Sequence, residues 1–193
     1  MDDEQSVGTG RKRRQPPPLD DAALRDLALA YAARFATTRA RLLRYLARKL
    51  KERGWAGEQP ANPEALADRL ATLGYVDDAA FAVMKGRAMA ARGLGRRRVN
   101  EALAAAGVAP DDRGEDPDEQ TALAVAVAFA RRKRLGPFAR VATDDPASRQ
   151  KALAAMLRAG HSMGAARTVL AARSAWDAEA LISEFADGPD QTS

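Results

Sequence analysis

The sequence of 193 residues carries 31 Lys+Arg against 26 Asp+Glu, a formal net charge of +5, and only six of the basic residues are lysine. It contains no cysteine, which excludes disulfides, thiol nucleophiles and cysteine-based zinc sites. No apolar run approaches the roughly 20 residues that span a bilayer, and the N-terminal segment lacks the apolar core of a secretory signal. We therefore expect a cytoplasmic protein.

Signals for helix starts and stops recur along the chain. Aromatic residues make up 5% of the sequence and alanine is abundant, a composition that favours helices around a thin core. Residues 1–18 are polar, basic and rich in proline, and predict a disordered tail. Beyond this tail, capping residues precede apolar stripes and glycines follow them: helices are predicted to start at Asp20 or Asp21, Thr38 and Pro63, and to stop at Gly54 and Gly74.

The helical pattern occurs three times. Thr38, Gly95 and Ser162 take equivalent N-cap positions, and an apolar residue follows each of them four and eight residues later. This repeat predicts an all-α fold of about nine helices, arranged as tandem three-helix, helix-turn-helix-like units in an elongated array. The predicted divisions are a basic, proline-rich tail 1–18, the repeats 19–76, 77–136 and 137–187, and a second disordered tail 188–193.

Two adjacent aspartates, Asp77 and Asp78, are the most conspicuous candidates for acid–base chemistry. They follow Gly74, which ends one helix, and precede Phe81, which begins the apolar stripe of the next. A carboxylate at that place accepts backbone N–H groups of the first helical turn and meets the positive end of the helix dipole. We therefore interpret both aspartates as structural residues of a joint between helices.

Three clusters of basic residues are candidate binding surfaces. Three arginines recur at helical spacing on one face of the second helix, three more begin a later helix, where their charges oppose the helix dipole, and a third cluster spans 131–134. The residues chosen from these clusters are Arg41, Arg44, Arg48, Arg96, Arg97, Arg98, Arg132 and Lys133. Basic faces are often merely solvated, but recurrence in two repeats favours an anionic partner, either nucleic-acid phosphate or an acidic protein surface.

Residues for catalysis or metal binding are scarce. The one histidine, His161, lies between a glycine and the Ser162 cap, and we expect it to be a solvent-exposed loop residue. With a single histidine and no cysteine the chain has no set of zinc ligands, and the sequence Gly-Leu-Gly at 93–95 lacks the Gly-Lys-Ser/Thr ending of a phosphate loop. These patterns predict a binding protein without catalytic residues, metal or cofactor.

Several of these segments together resemble the RecX family of bacterial regulatory proteins. The resemblance rests on "GYVDDAAFA", on "GLGRRRVNEALAAAGV" and on "ARRKRLGPFAR", and it extends over about residues 24–172. The last segment resembles the alphaproteobacterial form of the family. The positions that match the family pattern are Gly74, Tyr75, Asp77, Asp78, Phe81 and Arg87. We interpret all of them as architecture except Arg87, which we assign to binding.

The resemblance implies tandem three-helix modules that lie in the groove of the RecA–DNA filament. Members of the family modulate RecA, usually by inhibiting its ATP hydrolysis, strand exchange and co-protease activity, and thereby regulate recombination, DNA repair and the SOS response. RecA hydrolyses the ATP, so the resemblance implies no active site and no cofactor in this chain. We expect a monomer that binds the filament and, at most weakly, single- or double-stranded DNA.

Two other functions stay open at the level of sequence. The segment "RGLGRRRVNEALAAAGV" could act as a DNA recognition helix without RecA, although beyond its arginines it offers little but Asn100 to read base edges. Alternatively, the chain could be a helical adaptor for another acidic protein. The sequence also departs from the family pattern, because "GWAGEQPANPEA" lengthens a joint of the first repeat and Ala166 replaces a larger apolar residue in the third.

Overall fold

The computed structural model describes residues 16–140 and 145–183, and within these ranges the chain is helical, with no β-strand. The nine helices of the described ranges are α1 (Asp21–Arg34), α2 (Arg39–Arg53), α3 (Pro63–Thr72), α4 (Asp78–Ala90), α5 (Arg96–Ala106), α6 (Glu119–Lys133), α7 (Pro146–Arg158), α8 (Met163–Ala171) and α9 (Ala175–Ser183). The predicted all-α helical array is confirmed. The predicted tail 188–193 and residues 1–15 of the predicted N-terminal tail lie outside the described residues.

Local capping interactions set the helix starts where the sequence predicts them. The side chains of Asp20, Thr38 and Ser162 each accept a hydrogen bond from the backbone N–H three residues further on, at 2.8, 3.2 and 3.1 Å. Pro63 is the first residue of α3, where its missing N–H costs nothing. Gly95 also takes the predicted N-cap position, but it has no side chain to accept a bond.

The first hydrophobic core is formed by α1, α2 and α3. Its buried residues come from the three helices, from Leu19 before α1 and from Val76 after α3; those within the helices are Leu24, Ala28, Leu42, Leu46, Ala67 and Leu70. The segment before α1 is fixed to the segment after α2, because the N–H of Leu19 donates to the Gly54 carbonyl at 2.9 Å and the N–H of Ala56 donates to the Leu19 carbonyl at 2.7 Å. These two hydrogen bonds therefore connect the start of α1 to the end of α2 beside the first core.

Two further cores follow along the chain. Helices α4 and α5 share one, which also includes Val108 after α5. Helix α6 contributes five buried residues to the other, in which it packs with Met156 of α7 and with Ala166 and Val169 of α8. Leu94 is partly buried against both cores. Packing thus groups α6 with α7, α8 and α9. The predicted boundaries between repeats, at 76/77 and 136/137, concern folding units and remain predictions.

Candidate binding surface

The two adjacent aspartates cap two different helices. Asp77 is the N-cap of α4, and its Oδ1 accepts a hydrogen bond from the Ala80 N–H at 2.8 Å. Asp78 Oδ1 accepts instead from the N–H of Arg39, the first residue of α2, also at 2.8 Å. The preceding turn is set by backbone, since Gly74 has a φ of +76° and the side chain of Tyr75 is 56% exposed.

Helix α2 meets α4 and α5 at this junction, and its basic residues lie beside it. The Thr38 hydroxyl donates to the Ala106 carbonyl at the C-terminus of α5, at 2.6 Å. The Arg41 guanidinium lies 4.9 Å from the centroid of the buried Phe81 ring, within the range of a cation–π contact. Arg44 Nη2 is 3.5 Å from the Ala105 carbonyl, close to the negative end of the α5 dipole.

The remaining arginine of the α2 face has a neighbour on its own helix. Arg48 Nε is 3.5 Å from a carboxylate oxygen of Glu52, which also pairs with Lys49 at 2.6 Å. The Lys49 hydrogen bond is the larger cause that lowers the pKa of Glu52 below its usual range. Solvent screens exposed pairs of this kind, so they leave the charge of the face available to a partner.

The arginine triplet at the start of α5 is held by acceptors within the chain. Arg96 donates to Asp116 at 2.7 Å and to the carbonyls of residues 113 and 114. Arg97 and Arg98 both pair with Glu101, at 2.6 and 3.0 Å. The acidic segment 111–119 therefore lies against Arg96, and Glu101 lies between Arg97 and Arg98. An outside anion is not required to explain the three arginines, and their contact with a partner remains a prediction.

The C-terminus of α7 abuts the N-terminus of α5 and makes a second junction. The N–H groups of Gly95 and Arg97 donate to the carbonyls of Ala159 and Gly160, at 2.9 and 3.2 Å. Arg97 also donates from Nη2 to the carbonyl of Leu157 in the last turn of α7. These bonds satisfy donors of an N-terminus that has no side-chain cap, and they place the negative end of one helix dipole at the positive end of the other.

The third basic cluster ends α6. Arg131 pairs with Glu179 of α9, and Arg132 donates to the carbonyl of Arg92 after α4. Lys133 is exposed, and no ion pair joins it to the described part of the chain. Among the nine basic residues selected from the sequence, the structure brings Arg41 and Arg44 to the first junction and Arg97 and Arg98 to the second.

His161 is buried, and the sequence-based prediction of an exposed loop histidine is wrong. Its side chain is 6% exposed, and its Nε2 lies 3.1 Å from the Gly93 carbonyl, which can only accept, so Nε2 carries the proton. Its ring lies 5.3 Å from that of Phe129. Burial lowers the pKa of His161 more than the Gly93 contact raises it. The prediction failed because the residue follows a helix end that is covered by α5 and α6.

A groove runs beside the second junction and includes Arg87. Its walls come from α4 and α6, its floor includes Leu94 and Val99, and its volume is about 540 Å³. Arg87 is exposed, and within residues 16–140 and 145–183 no ion pair engages it. Sequence reasoning selected Arg87 but not the groove, because the groove depends on how α6 packs against the third core.

Other kinds of site are not formed by the described residues. Among them, no group of three or more histidine, aspartate or glutamate side chains is placed to hold a metal ion. None of the helices in the described ranges is both long enough and apolar enough to cross a membrane.

Comparison with known proteins connects these features to one family. No family model matches the chain. A curated protein, Regulatory protein RecX of Myxococcus xanthus (strain DK1622), is 32% identical to it over 184 residues, which covers 87% of this chain and 97% of the relative. The aligned region includes the joint at Asp77 and Asp78 and both helix junctions. At this identity and coverage, the chain belongs to the RecX family of regulatory proteins.

Proposed function

We propose that this protein is a non-enzymatic modulator of the RecA recombinase, which binds the RecA–ssDNA filament as a monomer and inhibits its ATP hydrolysis, strand exchange and co-protease activity. The observation that carries the proposal is the alignment with Regulatory protein RecX over nearly the whole of both chains. The family resemblance supplies RecA as the partner, and the helical array supplies a scaffold on which binding faces are fixed relative to one another.

An array of packed helical units suits a filament as a partner. A filament presents the same surface at regular intervals, and a protein with several binding faces gains avidity when those intervals match its own spacing. Such a protein stabilises the filament state whose spacing it fits, because it binds that state more tightly than the other states of the filament. Inhibition follows if the stabilised state is one that does not complete the ATPase cycle.

Among the basic residues, those without an internal carboxylate are the strongest candidates for contact with the filament. Arg41 and Arg44 lie together at the first junction, where their contacts within the described residues are a ring and a carbonyl oxygen. Arg96 is already paired with Asp116, and Arg97 and Arg98 share Glu101. An arginine that must break an ion pair within the chain before it pairs with the filament contributes less binding free energy. We therefore assign the larger share of binding to the α2 face.

The alternative, a DNA-binding module that acts without RecA, receives less support from the geometry. A recognition helix reads base edges with side chains that project from its exposed face. In α5 the Oδ1 atom of Asn100 is buried and has no hydrogen-bond partner among the described residues. The arginines before it are held by acceptors of the chain itself. We propose that any DNA binding is weak, independent of sequence and sensitive to salt.

The proposal is tested by measuring the ssDNA-dependent ATP hydrolysis of RecA with this protein added at substoichiometric ratios. A variant carries Arg44→Glu and Lys51→Glu, both on the exposed basic face of α2. We expect wild-type protein to inhibit, and the variant to need a concentration about tenfold higher, because like charges replace a complementary contact.

The matched control carries Arg25→Glu and Arg69→Glu, which change the net charge equally on exposed positions of α1 and α3. It should inhibit within about twofold of wild type, which separates local contact from long-range attraction. Absence of inhibition by the wild-type protein, with no binding to the filament by light scattering, would contradict the proposed function.

A further inference from the structure

The groove beside the second junction is an apolar recess formed by the described residues. It is lined mainly by small and aliphatic side chains, including Ala90 and Leu94 on one side and Ala122 and Val125 of α6 on the other. Its volume of about 540 Å³ lies in the range of cavities that enclose a bound group. No side chain of the described chain fills it, although the same helices pack closely elsewhere.

One face of α4 borders this groove, and its residues are exposed or half-buried. Val83, Gly86, Arg87 and Ala90 follow the spacing i, i+3, i+4, i+7, so they form a single stripe of the helix. The last three line the groove, and Val83 extends the stripe with half of its surface exposed. The buried side of α4, with Phe81 and Met89, packs into the second core instead.

Gly86 is the least expected residue of the stripe. A glycine inside a helix costs stability relative to alanine. No described residue requires it, because among residues 16–140 and 145–183 a Cβ at position 86 would meet only Val99 Cγ1, at an ordinary contact distance of 3.7 Å. Alanine would stabilise the helix at position 86 and would fit there. The presence of glycine instead indicates that a group from another molecule approaches the α4 backbone at this position.

The lining of the groove indicates which class of partner fits. Glu115 and Asp116 line it together with Arg87, Arg96 and Arg97, so its charges nearly balance, and its largely apolar walls suit a protein segment better than a phosphate backbone. Arg96 and Arg97 at the rim are paired within the chain, whereas Arg87 is exposed and has no carboxylate partner in the described ranges. The complementary ligand is therefore an apolar protein segment that carries one carboxylate, and an amphipathic helix is a common occupant of an apolar groove.

We propose that this groove receives an amphipathic helical segment of RecA, which packs an apolar side chain over Gly86 and pairs a carboxylate with Arg87. The proposal rests on the proposed function and deepens it, since it assigns an apolar protein contact to the groove between α4 and α6. The basic face of α2 then contributes a second contact to the same filament.

The test places a side chain in the groove and measures binding and inhibition of the RecA–ssDNA filament. Gly86→Leu fills the recess from the α4 side, and leucine is a good helix former, so the fold should persist. Gly86→Ala adds a single methyl group and should raise the melting temperature. Ala88→Leu is the matched control, because residue 88 lies on the same helix, is exposed and does not line the groove. Arg87→Glu tests the proposed carboxylate partner.

We expect Gly86→Leu and Arg87→Glu each to weaken binding to the filament by about tenfold or more, with helicity and melting temperature retained, while Ala88→Leu stays within about twofold of wild type. Equal binding of Gly86→Leu and wild type would overturn the groove proposal but leave the proposed function standing. Failure of the wild-type protein itself to bind or inhibit the filament would overturn both the groove proposal and the proposed function. If the wild-type protein binds ssDNA without RecA and Gly86→Leu abolishes that binding, the occupant of the groove is nucleic acid instead.

Discussion

Asp77 and Asp78 are neighbours in the chain, yet their carboxylates bind the first turns of α4 and α2 respectively. Adjacent residues at a helix start differ in direction by about 100°, so one carboxylate can cap its own helix while the next reaches a neighbouring one. Asp78 thereby joins the first and second cores through a single 2.8 Å hydrogen bond. Adjacency of two acids in a sequence is therefore poor evidence for catalysis.

His161 makes the stability of the protein depend on pH in a defined window. Burial lowers the pKa of His161, whereas in the unfolded chain the group has its ordinary pKa of about 6.5. As the pH falls below about 6.5, the unfolded state gains the proton first, so the free energy of unfolding decreases with falling pH. We expect a measurable slope between about pH 6.5 and 5 in urea denaturation, where few carboxylates titrate.

The variant His161→Gln provides the control for this slope. Its amide N–H can still donate to the Gly93 carbonyl, but the side chain does not titrate. The variant should therefore lose the pH dependence of its stability between about pH 6.5 and 5, but it should still unfold in acid at lower pH. Asp118 and Asp145 contribute to that acid unfolding, because hydrogen bonds from backbone N–H groups lower their pKa values. Parallel curves for the two proteins would refute the assignment.

At the scale of helices, the contact of α7 with α5 explains two features that the sequence left unexplained. Gly95 has no side chain that could cap α5. The carbonyls of Ala159 and Gly160 accept hydrogen bonds from the first turn instead, so no side-chain cap is needed there. The arginines that follow it are tolerated despite the helix dipole, because the C-terminus of α7 presents carbonyl oxygens to the same turn. Both features reflect a tertiary contact rather than an intrinsic helix preference.

We predict that Gly95→Ala is strongly destabilising. A Cβ at position 95 would lie 2.4 Å from the Gly160 carbonyl carbon, so the two helices must separate to admit it. The loss should be about 2–4 kcal/mol in the free energy of unfolding, as for other overpacked sites with lost hydrogen bonds. Gly164→Ala in α8, where the nearest atom is 3.9 Å away, should be neutral or stabilising by up to about 1 kcal/mol. Equal stability of the two variants in urea denaturation would contradict the close approach at this junction.

Helix positions were predictable from the sequence because their causes are local. The caps Asp20, Thr38, Asp77 and Ser162 accept from residues three positions away, so a short window of sequence contains both partners. The partners of the arginine triplet and of His161 were not predictable, because Arg96 and Asp116 are 20 positions apart and His161 and Gly93 are 68 apart. Sequence reasoning therefore found candidate residues for the site but not which of them are paired with carboxylates of the same chain.

At the scale of the molecule, the three-fold repeat and the three cores agree in number but divide the chain differently. The repeat pattern assigns α6 to the second unit, whereas Leu123, Val127 and Phe129 of α6 are buried with α7 and α8. The pattern of one helix shows which face is apolar but not which neighbour covers it. This ambiguity matters for function, because the groove proposed to bind RecA exists only where α6 faces α4 across the second junction.

Truncation distinguishes the two divisions. A chain that ends at residue 136 keeps α6 but loses α7, α8 and α9, so the apolar face of α6 would be exposed. A chain that ends at residue 117 omits α6 and keeps the first two cores together with the Arg96–Asp116 pair. We expect the longer fragment to bind a hydrophobic dye and to self-associate in sedimentation, and the shorter fragment to remain monomeric, because exposed apolar patches drive association. A monomeric 1–136 fragment with α6 protected from hydrogen exchange would instead support the boundary at 136/137, since α6 could then form a stable core with α4 and α5.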